Sequence, residues 1–81
     1  MNENEVRQTA LSVLASIAPE IADVTLRNDQ PLRRQVDLDS MDWLNFLLGL
    51  HERLGVDIPE ADYARLTTLD EIANYLLAKL P

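Results

Sequence analysis

"DLDSMDWLNFLLGL", residues 37–50, sets a serine among aspartates and then runs into an almost unbroken apolar stretch. This is how a buried helix opens: Asp39 or Ser40 offers a capping oxygen, and Asp42 sits near the positive end of the dipole. Counting 100° per residue from Met41 gathers Trp43, Phe46, Leu47, Leu50 and Leu54 on one side. Met41, Leu44 and Leu48 form a separate apolar stripe on the opposite side, with Asn45 and Glu52 beside it. The first side suits a bundle core. The second has no evident partner within the chain and begins beside Ser40, so it reads as a docking surface; the plainer alternative is cover by a loop or a second copy. In "LGV", Gly55 suits the left-handed position that ends a helix.

Upstream, Asn2 and Glu5 have the form of a capping box, and Val6, Ala10, Val13, Leu14 and Ile17 then recur at helical spacing until Pro19. From Pro19 to Leu38 periodicity is lost. A long loop is expected there, pinned by Leu26, Leu32 and Val36. Downstream, Pro59 fits the first position of a short helix of about two turns. Thr68 with Glu71 forms a second capping box, opening a helix whose Leu69, Ile72, Ala73, Leu76 and Leu80 share one face. The prediction is one all-α domain over 1–81: a four-helix bundle of three longer helices and a short third one, with a long loop between the first two.

At 81 residues the chain has room for one small core and no large catalytic cleft. It has no cysteine, so disulfides, a thiolate nucleophile and a cysteine zinc cluster are unavailable, and any thiol chemistry must be imported. A net charge of −7 repels nucleic acid and anionic lipid and favours partners with basic patches. "MNENEVRQ" lacks the basic start and apolar core of a signal peptide, and no apolar run reaches membrane-spanning length. A soluble, cytoplasmic monomer is expected.

Catalytic pairings fail on distance. Ser40 and His51, the one histidine, lie eleven residues apart on the same helix, hence roughly 16 Å along its axis, too far for a nucleophile and base. His51 reads as a surface or partner-facing residue. "DLDSMD" resembles the start of a calcium loop, but its sixth position is Asp42 rather than glycine and its twelfth is Leu48 rather than glutamate. No catalytic residue and no metal site is expected. Ser40 as a plain cap is a sufficient account of one serine, yet a helix N-terminus is also where free N–H groups and the dipole stabilise a phosphate.

Taken together, "LDSMDWLNFLLGLHERLGVDIP" and "EADYARLTTLDEIANYL" resemble the acyl carrier proteins, the first with the D-S-L attachment motif, its helix and the G-[IV]-x-I-P exit, the second with the short third helix, T-T-[LV] turn and last helix. The likeness runs from about Glu5 to Leu80 and includes the length of the first loop. It implies that Ser40, introduced by Asp39, receives 4′-phosphopantetheine from coenzyme A through a magnesium-dependent phosphopantetheinyl transferase. The arm's thiol then holds an acyl or related group as a thioester, supplying the thiol that the chain lacks. The resemblance further implies a non-catalytic carrier, working with acyl-loading and acyl-transfer enzymes of a biosynthetic pathway such as fatty acid synthesis. Met41, Leu44, Asn45, Leu48 and Glu52 become the partner face, and Trp43, Leu47, Leu50 and Ile72 the lining of an acyl pocket. The helical projection points the Trp43 indole into the bundle, where the family often has a small residue; either it fills the acyl space and favours short or polar cargo, or it is simply a core anchor in a domain with few aromatics. The motif glycine is replaced by Asp37, the usual leucine by Met41, and often-acidic helix positions by Asn45, His51 and Arg53; Arg33 and Arg34 lie just upstream. These departures point to a specialised carrier with dedicated enzymes. The alternative is an interaction module of the same fold without a prosthetic group.

Overall fold

The computed structural model describes residues 1–80. Helix α1 spans Glu3–Ile17, and both halves of its capping box form: the Asn2 side chain accepts from the Glu5 amide at 2.8 Å, and the Asn2 amide donates to Glu5 at 3.2 Å. Val6, Ala10, Val13 and Leu14 make its buried face. A 3₁₀ turn over Pro19–Asp23 follows, then the one-turn helix α2, Leu32–Gln35, before α3, Ser40–Leu54. Asp39 caps α3 by accepting from the Asp42 amide at 2.8 Å, and Gly55 ends it at φ 65°. A second 3₁₀ segment, Glu60–Arg65, leads to α4, Leu69–Lys79, which opens on the Thr68 and Glu71 capping box. Among the described residues there is no strand, only an isolated bridge between Pro31 and Thr68.

The core lies between α1, α3 and α4. Phe46, Leu47 and Leu50 from α3 and Leu69, Ile72, Ala73 and Leu76 from α4 are sealed from solvent, and no polar side chain among the described residues is buried with them. That division suits a small domain, because an unpaired polar group in such a core costs on the order of 1–3 kcal/mol. α1 approaches α3 where Gly49 lacks a side chain: a Cβ there meets Val13 Cγ1 at 2.6 Å.

Three details differ from the sequence-based expectation. The connection from Pro19 to Leu38 is not a featureless loop, since it holds the 3₁₀ turn and α2 and buries Ile21, Leu32, Val36 and Leu38. Pro19 starts the first of these and Pro31 caps the second, each with the fixed φ that suits such a place. Backbone bonds then tie the connection to the start of α4, from Leu32 N–H to Thr67 O at 2.9 Å and from Asp70 N–H to Asn28 O at 3.0 Å. The short third helix is of 3₁₀ type, with Pro59 as its cap rather than its first residue. Trp43 and Leu54, assigned to the core side of α3, are half-buried, as is Leu80, which falls just past the end of α4.

Candidate functional site

The start of α3 is built by short-range rules. Asp39 turns its carboxylate back onto the Asp42 amide and fixes where the helix begins, which places Ser40 at the first helical position with its side chain in solvent. The first amides of a helix have no acceptor within it. Asp39 satisfies one of them, and the dipole of a 15-residue helix leaves this end positive. Among the described residues the Ser40 hydroxyl has no hydrogen-bond partner. Arg33 Nε donates to Leu38 O at 3.3 Å, holding the chain that enters the helix.

Beside Ser40 runs the second stripe of α3. Met41, Leu44 and Leu48 are 65 %, 46 % and 52 % exposed, with Asn45 and Glu52 also in solvent. Exposed apolar residues are ordinary when scattered; three at helical spacing form a face. The opposite side of the same helix supplies Phe46, Leu47 and Leu50 to the core.

The four residues expected to line an acyl pocket are not gathered around one cavity. Leu50 and Ile72 are packed in the core, and Leu47 touches a cleft of about 450 Å³ between α3 and the second 3₁₀ segment, shared with Leu48, His51 and Tyr63. Trp43 instead walls a separate cleft of about 240 Å³, with Pro31, Arg33, Tyr63, Ala64, Leu66 and Thr67. Its indole leans on Phe46, the ring centroids 5.2 Å apart and tilted by 41°. Trp43 lies between core and solvent, packed against the core on one side and lining this cleft on the other.

His51 keeps 45 % of its side chain in solvent. Its Nδ1 lies 2.8 Å from Val56 O, bridging the turn that follows α3, and it is half-buried. The second 3₁₀ segment buries no residue of its own and is held to α4 by the Tyr75 hydroxyl, which donates to Asp62 at 2.6 Å. The Tyr75–Asp62 contact, and the place of Arg33 at the cleft, join residues far apart in sequence. The only signal of Arg33 in the sequence is a basic pair, Arg33 and Arg34, in an acidic chain.

No group of three or more His, Asp or Glu side chains among the described residues is arranged to hold a metal ion. An exposed, uncommitted hydroxyl on the first turn of a capped 15-residue helix does fit a phosphodiester, whose oxygens find free N–H groups and a favourable dipole there.

Comparison with known proteins bears on the same region. The family described as "Phosphopantetheine attachment site" matches residues 6–76. The chain is 34% identical over 65 residues to D-alanyl carrier protein 1 of Lactiplantibacillus plantarum, covering 80% of this chain and 79% of that one. It is 25% identical over 72 residues to the acyl carrier protein of Campylobacter hominis, covering 89% of this chain and 85% of that one. Against the mitochondrial acyl carrier protein of Saccharomyces cerevisiae it is 23% identical over 79 residues, 94% of this chain but only 63% of the relative's length. A capped helix with a free serine, an all-α bundle and a match over nearly the whole chain converge: the chain belongs to the phosphopantetheine-attachment family, as a carrier protein whose prosthetic group is 4′-phosphopantetheine.

Proposed function

We propose that Ser40 bears the 4′-phosphopantetheine arm and that partner enzymes dock on Met41, Leu44 and Leu48, with Asn45 and Glu52 at the rim. The observation that carries this is the exposed hydroxyl of Ser40 at the first turn of α3, directly beside the exposed apolar stripe. When bound, the arm supplies a thiol on a flexible tether, the group the chain's own residues lack. The chain's part is to present that tether: Asp39 fixes the helix start, the first-turn amides favour the phosphodiester, and the core face of α3 holds the docking face rigid. It performs no catalysis itself. The phosphopantetheinyl transferase and the acyl-loading and acyl-transfer enzymes of a dedicated pathway meet a monomeric carrier in the cytoplasm.

Cargo is the open variable among the relatives, one of which is named for D-alanyl groups and others for acyl groups. Asn45, His51 and Arg53 on α3 support a dedicated enzyme set over one that reads an acidic helix. Transfer kinetics test the docking face: Leu44→Ala is expected to lower the transferase's kcat/KM about ten-fold while the circular dichroism spectrum is kept. Unchanged kinetics in Leu44→Ala and Leu48→Ala alike contradict it.

A further inference from the structure

The cleft walled by Trp43 has a charge character at odds with the rest of the molecule. The chain carries 14 acidic against 7 basic side chains, yet this cleft is lined by Arg33 and by no carboxylate. Asp37, Asp39 and Asp42 are close in sequence, but among the described residues Arg33 forms no ion pair with any of them. Its Nε is committed to Leu38 O, which fixes the guanidinium near the entry to Ser40 and leaves the terminal nitrogens free to bind in the paired fashion that suits a carboxylate. The remaining walls are Trp43, Tyr63 and Leu66, with Thr67 at the edge. About 240 Å³ exceeds the roughly 150 Å³ that holds a benzene molecule.

Ser40 and Trp43 are three residues apart on α3, hence neighbours on its surface and about 4.5 Å apart along the axis. A group on a flexible tether at Ser40 therefore has this cleft within reach when the tether folds back. A short flexible tether gives an effective concentration in the millimolar range, so weak intrinsic affinity suffices for occupancy. From the lone cation, the absence of acids and the aromatic walls we infer that the cleft selects short cargo ending in a carboxylate, with Arg33 the specificity-determining residue. This rests on Ser40 as the attachment site. The arm's own phosphodiester is the other anion within reach, but the apolar walls offer it nothing, whereas the methylenes of a dicarboxylic acyl group fill them. A cargo bearing an ammonium group is disfavoured by the same cation.

The test uses hydrolysis-resistant pantetheine analogues in which an amide replaces the thioester: succinyl (anionic), butyryl (neutral) and glycyl (cationic). They are titrated free into the unmodified protein, reading the fluorescence of Trp43, the one tryptophan, and the amide shifts of Tyr63, Leu66 and Thr67. The succinyl analogue is expected to bind roughly three- to ten-fold tighter than the butyryl analogue, with glycyl weakest. Arg33→Gln removes that preference, Arg33→Lys restores part of it, and Arg34→Gln leaves it intact. The same cargoes are then mounted on Ser40, and Arg33-dependent shifts are expected with succinyl alone. Butyryl binding at least as well as succinyl, no succinyl-specific shift at millimolar analogue, or Arg33-dependent shifts already complete in the cargo-free arm each overturn the inference. A failure of Ser40 to accept the arm appears separately, as an unmodified mass, while the free analogues still report on the cleft.

Discussion

Gln35 makes three hydrogen bonds that stand in for secondary structure in the connection before α3. Its side chain accepts from the Arg27 amide at 2.6 Å and donates to the carbonyls of Arg27 and Gln30, each at 3.0 Å. Gln35→Ala removes all of these and is expected to lower stability by about 1–2 kcal/mol, read from chemical denaturation. Glu71 is a second pinned residue. The Thr67 hydroxyl beside it, then the Thr68 amide, hold its carboxyl below the ordinary value of 4.5. Because the folded value is the lower one, this contribution is complete above about pH 4.5 and fades as the pH falls through the folded value. Thermal midpoints measured from pH 6 down to 3 are expected to fall less steeply in Glu71→Gln than in the parent. Asn2, Asp39, Gly55 and Thr68 were legible in the sequence because a cap is a rule about neighbours three or four residues apart. Gln35, His51 and Tyr75 were not, because each acts through a partner that only the folded chain brings near.

Among the elements, α3 carries the division of labour, with a core face and a solvent face on the same 15 residues. Phe46→Ala is expected to cost about 3–5 kcal/mol, since its side chain is fully buried. Leu44→Ala, at 46 % exposure, is expected to cost well under 1 kcal/mol. Equal losses in the two contradict the assignment of faces. The contact of α3 with α1 depends on Gly49. Alanine there gains helix propensity of about 1 kcal/mol, but its Cβ meets the stiff Val13 side chain at 2.6 Å, and overpacking costs about 1–3 kcal/mol, which outweighs that gain. Gly49→Ala is therefore expected to destabilise. Adding Val13→Ala makes room and is expected to cost less than the sum of the two single changes, which a double-mutant cycle measures. The long helices were legible because their apolar spacing repeats over several turns. The 3₁₀ turn at Pro19–Asp23 and helix α2 were not: a single turn has no period, and these are fixed by burial of Ile21 and Leu32 and by bonds to Thr67. Which residues face the two clefts beside α3 likewise depends on where the short segments lie.

For the whole molecule, the parts combine to present one helix start on a packed bundle. A core from three long helices holds one helix start in place, the connection between α1 and α3 is tied to the start of α4 through Asn28 and Leu32, and Ser40 is exposed. The claim on which the rest depends is that Ser40 takes the arm. The most direct measurement is the intact mass of the protein, and of Ser40→Ala, after incubation with coenzyme A, magnesium and a broad-specificity phosphopantetheinyl transferase. A gain of one phosphopantetheinyl group is expected in the parent and none in Ser40→Ala; an unmodified parent, or the same gain in the alanine variant, contradicts attachment at Ser40.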